Sequence, residues 1–547
     1  MDPHHNATVL HISQQVQSFS SQKLPFHIYH GTTSSTRRAS YTRSNTIDTS
    51  SLNRVLRITN TAHKKTALVE PNVSMDVLVK ACLKEGLVPL VVMEFPGITV
   101  GGGFAGTSGE SSSFRYGFFD RIVCWVEMVL ADGEIVEAER KGKNEDLFYG
   151  AASSFGTLGI TTCLEVKLRD AKPFVQLSYF PISSAEEMRE KINEVALDMK
   201  YEYLDGILFG KDRGVVCAGF LADREESSSS SSSTSSVSKM KTKEEECLPI
   251  QHFTRPQDPW FYTHAEDVLT KYYPKSPESS SSSSSKTSSS SLLHTELIPT
   301  TDYFFRYDRG AFWGGRYSFS YFLVPFNAFT RWVLDPFMHT RVMYHALHKS
   351  GLAKRYIIQD VGIPSDKLDE FVDYLHEEFG YYPLWICPLK EQGASETRPR
   401  SQDGNEQQED TDTSLIPESI NVGIWGPCPW GSSSPSEFKA YNRRLEQKVH
   451  SLGGQKCLYA HTYYTEEEFW AIYDRETYRK LREKYHAEYL PDLWEKVRVK
   501  DDNNAVDGRK GNNGWGRRVW GWVKEIWPLR GVYGVLSVVV GAREYLL

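Results

Sequence analysis

The chain has 547 residues, enough for two or three domains of ~100–200 residues and a large buried core. Its formal charge of −7, with basic clusters no longer than pairs such as Arg517-Arg518, argues against nucleic-acid binding. The eight cysteines form no C-x-x-C pair and match no zinc spacing, and Cys124 and Cys387 sit in apolar runs, which reads as buried thiols in a reducing compartment.

From the N-terminus, no basic segment followed by an apolar run marks a signal peptide. Residues 24–29 are strand-like and lead into a first loop, His30-Gly31-Thr32-Thr33-Ser34-Ser35-Thr36-Arg37. One glycine, five hydroxyls and an arginine after a strand suit a diphosphate. Residues 67–70 read as a strand and 73–85 as an amphipathic helix with Val77, Leu78, Ala81 and Cys82 on one face, stopped by Gly86.

Residues 96–117, PGITVGGGFAGTSGESSSFRYG, are the most informative stretch. Gly101, Gly103 and Gly106 fit G-x-G-x-x-G, but a dinucleotide fold needs a helix opening directly from the glycines, and no 3.6-residue apolar period follows them. The glycines still predict close approach of backbone to a ligand, with consecutive N–H groups forming an anion-binding nest and Thr99, Thr107, Ser108 and Ser111–Ser113 supplying hydroxyls. A solvent loop of small residues is the plain alternative, and it explains poorly the apolar, aromatic sequence on both sides.

Residues 121–130 and 134–138 are predicted strands of a hairpin turning at Asp132-Gly133. A further strand is expected over 160–168. Residues 174–180 read as a strand, Ser183 or Ser184 as the cap of a helix with Glu186-Glu187 in its first turn, and 203–209 with 215–220 as a hairpin. Strand, helix and hairpin in that order suggest half of a ferredoxin-like unit. Segments near 227–245, 276–291 and 391–415, rich in serine or in polar and acidic residues, are predicted disordered insertions rather than domain boundaries.

No stretch reaches the ~18 apolar residues of a membrane-spanning helix. The tail, residues 501–547, carries Trp515, Trp520, Trp522 and Trp527 interleaved with Arg517, Arg518, Lys524 and Arg530, ahead of the uncharged run 531–542. Two readings are open for it: an interfacial membrane anchor, or an element packed on the protein.

Residues 153–162, S-S-F-G-T-L-G-I-T-T, following Asp146-Leu147-Phe148, carry the first family likeness. Together with the two earlier loops they resemble the PCMH-type FAD-binding domain of the vanillyl-alcohol-oxidase flavoproteins, over roughly residues 20–175. The resemblance implies an α+β fold: a two-lobed FAD-binding domain over 1–173, an α+β substrate or cap domain over 174–500, and the Trp-rich tail. It implies FAD contacts at Gly31, Thr32, Ser35, Thr36 and Arg37, at Thr99, Val100, Gly101, Gly102, Gly103, Gly106, Thr107, Gly109, Glu110 and Ser111, and at Gly156, Thr157, Gly159 and Ile160. With His30 before the first glycine, where a flavin-linking histidine is not expected, the FAD is read as non-covalent.

Within that superfamily the chain is similar to the Δ24-sterol reductases. The matching segments are 99–117, 127–133, 144–149, Asp258-Pro259-Trp260-Phe261, Phe312-Trp313, Gln359-Asp360-Val361, 382–388, Leu458-Tyr459-Ala460, Tyr463, 467–470 and 478–484. The N-terminal apolar anchor of relatives has no counterpart here. The resemblance implies NADPH as electron donor, FAD as carrier and a sterol side-chain alkene as acceptor, at the cytosolic face of the endoplasmic reticulum membrane with contact to its surface. An isolated alkene accepts hydride poorly, so an acid must assist, in a dry apolar pocket. The candidate acids are Tyr459, Tyr463 and Glu127. Each has a structural alternative: a hydrogen-bonded core tyrosine for the first two, a carboxylate paired with a cation or backbone N–H for the third. His461 and Lys480 are weaker candidates. Trp260, Phe312, Trp313, Trp385 and Phe469 line a substrate cavity or simply fill the core. Two other functions fit parts of the pattern: another FAD-linked oxidase or dehydrogenase of the same fold, and a non-catalytic lipid-binding protein.

Overall fold

In the computed structural model, residues 2–31, 44–106, 108–224, 248–272, 292–380, 382–390, 415–429, 434–499 and 527–540 are described. The three predicted insertions lie almost wholly outside the described residues, as does most of the Trp-rich tail.

The chain opens with a helix, Pro3–Ser21, that the sequence reading did not anticipate. Its local cause is plain: the Asp2 carboxylate accepts the N–H groups of His4 and His5, and Pro3 occupies the first turn. His5, Val9, Ile12 and Val16 form its buried stripe. At the head of that stripe, His5 Nδ1 lies 2.9 Å from Glu70 Oε1 and Nε2 lies 3.0 Å from Glu127 Oε1. Glu70 also accepts the Arg54 N–H at 2.7 Å, and Glu127 accepts the Thr162 hydroxyl at 2.6 Å.

The first domain is built on strands β3 (Val55–Asn60), β4 (Lys65–Val69), β5 (Leu87–Pro89), β6 (Val123–Leu130), β7 (Ile135–Glu139) and β8 (Gly159–Asp170), after a short parallel pair β1 (His27–Tyr29) and β2 (Thr46–Asp48). The sheet order is β3-β4-β8-β6-β7 with β5 on β8, and every pair is antiparallel. The predicted hairpin at Asp132-Gly133 is β6–β7. The helix Met75–Lys84 buries Met75, Leu78, Val79 and Cys82, while Val77 is exposed. The predicted face was therefore turned by about one residue, because Met75 and Val79 point inward.

The second sheet has eight antiparallel strands: β9 (Phe174–Ile182), β10 (Tyr203–Gly210), β11 (Arg213–Ala222), β12 (His294–Pro299), β13 (Tyr356–Pro364), β14 (Leu384–Leu389), β15 (Ser419–Pro427) and β16 (Gln455–Lys456). Their order, β12-β9-β11-β10-β14-β15-β13-β16, contains the same pattern twice. In the first half a helix, Ala185–Leu197, follows β9 and another, Phe261–Tyr272, follows β11. In the second half Leu368–Glu378 follows β13 and Pro435–Ser451 follows β15. Each half is a complete β-α-β-β-α-β unit in the order 4-1-3-2, and the two join through β10 and β14. The half unit read from the sequence is thus one quarter of a doubled platform.

Period-2 alternation divides the residues of this sheet between its faces. Leu204, Leu208, Leu384, Ile386, Ile357, Ile420, Val422 and Ile424 face the helical layer. Tyr203, Ile207, Trp385, Cys387 and Trp425 belong to the core shared with the first domain.

The His5 cluster generates a pH prediction. Burial disfavours the charged ring, but the Glu127 and Glu70 carboxylates outweigh it and lift the imidazole from 6.5 to about 9. A raised folded value means the stabilisation is complete below the unfolded value and fades as pH climbs through about 9. His5→Ala is expected to cost about 3 kcal/mol, since it leaves buried carboxylates short of a partner. Thermal unfolding followed across pH 6–10 should show the parent weakening over that window and the variant uniformly weak.

Candidate active site

The second and third segments proposed for the cofactor converge, and the third backs onto the strand that leads into the first. The Ser153 N–H donates to Phe104 O at 3.3 Å and the Phe155 N–H to Ala105 O at 3.2 Å. Gly156 backs onto β1, where a Cβ would stand 2.8 Å from Ile28 Cδ1, and its φ is +76°. Ser153 and Phe155 are also left-handed, at +67° and +51°, so this turn is held in a costly conformation. The distant helix Arg475–Lys484 pins it: the Tyr478 hydroxyl donates to Thr157 Oγ1 at 2.7 Å and Arg482 donates to Thr157 O at 3.0 Å.

The 99–106 segment differs from its expected form. It is a seven-residue helix, Val100–Gly106, rather than a nest. Its first N–H groups are satisfied within the protein: Val100 by Val73 O, Gly101 by Pro71 O, Gly102 by the Thr99 hydroxyl and Gly103 by Thr99 O. Gly103 is required by packing, since a Cβ would come within 2.4 Å of Met93 Sδ. The dinucleotide-fold reading fails on topology, because the adjoining sheet is wholly antiparallel.

The residues present fit FAD. His30 Nδ1 is buried with no hydrogen-bond partner among the described residues, beside Gly31 at the entry of the first loop. Burial, helped by Lys496, lowers that imidazole to about 4, so it is neutral. Gly31, Gly106, residues 108–111 and Gly156–Ile160 would hold the cofactor, which supplies hydride chemistry when bound. Thr32, Ser35, Thr36, Arg37 and Thr107 lie outside the described residues.

Past Gly109 the segment docks on the eight-stranded sheet. The Leu204 N–H donates to Ser111 O at 2.8 Å and the Lys390 N–H to Ser113 O at 3.2 Å. Beneath it lies a group of buried charges that the sequence reading did not single out. Glu94 accepts the Ser111 hydroxyl and the Ser111 N–H, and its Oε1 lies 3.1 Å from an Arg306 nitrogen. Arg306 also donates to Asp205 Oδ2 at 2.9 Å, which takes the Tyr307 hydroxyl at 2.7 Å and Trp385 Nε1–H at 3.1 Å. Burial pushes Glu94 up to about 7 against the pull of Arg306. Burial, then Glu94, pushes Glu110 well above the usual carboxylate range.

Asp360, on β13, accepts the hydroxyl of Tyr459 at one oxygen and Asn421 Nδ2–H at 3.2 Å at the other. Burial raises its carboxyl above the ordinary range, opposed by those donors, and burial with the Asp360 charge raises the Tyr459 phenol. The pair adjoins an aromatic group centred on Phe312, whose ring lies 4.4 Å from Tyr307, 5.1 Å from Phe95, 5.2 Å from Trp385 and 5.3 Å from Trp425. Gly310, Ala311 and Phe312 have φ of +85°, +46° and +56°, a strained run that presents the Phe312 ring to this group. Next to it an apolar cavity, lined by Ala311, Tyr317, Tyr344, Ile358, Trp425 and Val535 among others, encloses about 940 Å³ of empty space including its open mouth.

The three candidate acids are thus separated. Tyr459 reaches the cavity side through Asp360. Tyr463 belongs to the core on the other face of the sheet, its ring 6.3 Å from Phe438 and its N–H donated to Glu446. Glu127 is committed to His5 and Thr162. Of the proposed cavity walls, Phe312, Trp313 and Trp385 meet in the aromatic group, Trp260 packs with Phe319 and Phe326, and Phe469 packs with Trp470 and Tyr473. His461 lends its carbonyl to Lys456, and Lys480 lies on the surface near Glu476. The signal for the missed residues was present: Glu94, Asp205 and Asp360 are carboxylates inside apolar runs.

Gly156→Ala is expected to cost about 1–3 kcal/mol, because alanine must adopt a left-handed φ against Ile28. The ratio of flavin to protein absorbance in the purified variant should fall well below that of the parent.

Residues 6–139 match the FAD binding domain family. Over longer spans the chain is 27% identical to a Delta(24)-sterol reductase homolog of Caenorhabditis elegans, across 452 residues covering 79% of this chain and 75% of that one. It is 27% identical to the Delta(24)-sterol reductase of Homo sapiens over 442 residues, 79% of this chain and 74% of the other. It is also 27% identical to the Delta(24)-sterol reductase of Arabidopsis thaliana over 445 residues, 78% and 71%. With the convergent cofactor segments, these matches identify the chain as an FAD-dependent oxidoreductase related to the Delta(24)-sterol reductases of animals and plants.

Proposed function

We propose that the protein is an NADPH-dependent reductase that saturates the Δ24 side-chain double bond of a sterol, with FAD as hydride carrier. The observation that carries this reading is the Tyr459–Asp360 pair, which sits behind Tyr344 and Trp425 of the apolar cavity's wall. The named activity of the relatives supports the substrate class.

Saturating the alkene consumes one hydride, delivered through FAD, and one proton. The Tyr459 hydroxyl gives its proton to one alkene carbon as hydride arrives at the other. Asp360 accepts the Tyr459 hydroxyl and so orients it, and the phenolate left after transfer is reprotonated from solvent. Developing positive charge on the alkene is stabilised by aromatic faces of the kind that Trp425, Tyr344 and Phe312 supply. The absence of bulk water in such a pocket protects the cation from capture. Because burial and the Asp360 charge raise the Tyr459 phenol, the limb on which turnover falls with rising pH should lie above that of an ordinary phenol, while reduction of the flavin by NADPH should not follow that limb. We further place the enzyme at the cytosolic face of the endoplasmic reticulum membrane, where the buried thiols Cys82, Cys163, Cys217 and Cys387 suit a reducing compartment.

Tyr459→Phe is expected to lower turnover of a Δ24 sterol by about a hundredfold or more. Anaerobic bleaching of the flavin by NADPH should stay at the parent rate. A parent enzyme that bleaches with NADPH yet yields no saturated sterol would overturn the substrate. One whose flavin ignores NADPH and whose reduced form is rapidly reoxidised by oxygen would instead be an oxidase of the same fold.

A further inference from the structure

Residues 314–334, GGRYSFSYFLVPFNAFTRWVL, contain no aspartate or glutamate and two arginines. They form the helix Gly314–Tyr321, a turn, and the helix Ala328–Leu334, which buries none of its residues. Leu323 is 74% exposed, Phe329 68%, Trp332 53% and Val333 49%. Positions 329, 332 and 333 share one face of the second helix, so its apolar side is turned to solvent. The turn is not loosely held: Asn327 and Thr330 cap each other, and Phe326 packs on Trp260 and Phe319 at 5.4 and 5.3 Å.

The C-terminal helix extends this surface. Leu529–Val540 lies on the helix Thr340–Ser350, with Arg530 donating to Ser350 O at 2.7 Å, so this part of the tail is packed on the protein. Trp527 Nε1–H donates to Tyr321 O at 2.8 Å, two residues before Leu323. Trp527, Leu529, Val532 and Leu536 are exposed in turn. Among the described residues no helix is long and apolar enough to cross a membrane. The apolar cavity lies between the two segments that carry these exposed residues, its wall including Tyr321 and Phe322 of one and Gly531 and Val535 of the other.

We infer that this continuous face, from Leu323 and the helix Ala328–Leu334 across to Trp527–Leu536, seats the protein on the surface of a lipid bilayer containing anionic lipid, with the mouth of the cavity turned towards it. Exposed tryptophan, phenylalanine and leucine grouped on one side are the composition that partitions into the interface. The exposed cations Arg316 and Lys349 match an anionic headgroup layer, while Asp267 of the helix Phe261–Tyr272 faces the inner cation Arg331. An apolar ligand could then pass from bilayer to cavity without crossing water. A second copy of the chain is the rival occupant, and it offers no account of the cavity between the two segments.

The test uses the purified flavin-loaded full chain in flotation with vesicles of phosphatidylcholine, alone or with phosphatidylserine. The parent should float with both and more strongly with phosphatidylserine. The double variant Phe329→Ser/Trp332→Ser should lose about tenfold or more of its partitioning, as expected for two large side chains that no longer enter the lipid. Its flavin content and Tm should match the parent, since neither side chain is buried. Parent-like flotation of the double variant would overturn the inference. So would a parent that ignores vesicles and forms a dimer that the double variant dissociates. Equal partitioning of the parent to the two compositions would overturn the anionic preference. None of these readouts depends on the identity of the reduced substrate.

Discussion

Arg306 is the interaction on which the site depends. It is fully buried, and it joins Glu94, which holds Ser111 of the cofactor segment, to Asp205 in the middle of the eight-stranded sheet. The cofactor domain and the substrate platform are therefore coupled through one desolvated cation between two carboxylates, with Glu110 pressed against the same group. Removing a partner from such a cluster leaves an uncompensated buried charge. Well-packed apolar residues could hold the two domains together as firmly, so the feature that distinguishes the charged group is the geometry it imposes. It sets the height of Ser111 and Glu110 above the strands, and hence of whatever the preceding glycine segment holds.

The platform is a consequence of duplication. Two β-α-β-β-α-β units fused edge to edge through β10 and β14 give a broad sheet, with three of the four crossover helices on one face and Phe261–Tyr272 on the other. Strand alternation then collects Asp205, Trp385, Asp360, Asn421 and Trp425 on the opposite face, although they are spread over more than two hundred positions of the chain. Against that face the segment 305–315 is held in a strained turn. Asp308 accepts the Thr340 N–H at 3.0 Å and lies 2.6 Å from His339 Nδ1, and Arg309 donates to Asp335 at 2.7 Å, so the left-handed Ala311 and Phe312 are over-determined by their surroundings. Backbone strain retained beside a cavity and a buried acid is the usual mark of a site under functional constraint.

The C-terminal region ties the parts together at long range. Tyr459 supplies the hydroxyl for Asp360, Tyr478 and Arg482 fix the turn at Thr157, and the helix Leu529–Val540 walls the cavity. Cofactor turn, candidate acid and apolar cavity are thus all completed by residues after 455, which is why likeness at both ends of the chain carries more weight than the FAD loops alone.

What the sequence by itself determined is local and periodic. The hairpin at Asp132-Gly133, the helix capped by Ser183 or Ser184 and the strands of the first β-α-β-β run follow from turn chemistry and alternation, and the cofactor class follows from three short motifs in order. What only the tertiary structure decided is where groups meet. The helical state of the 100–106 glycines came from their packing on Pro71 and Met93. The pairing of Glu127 with His5 needed a helix 122 positions away. The contrast between Tyr459 and Tyr463, four residues apart, came from which face of the sheet each reaches. The physical reason is common to all three: spacing along a strand or helix fixes which face a residue takes, but the charge, cavity or close contact on that face is contributed by chain far away.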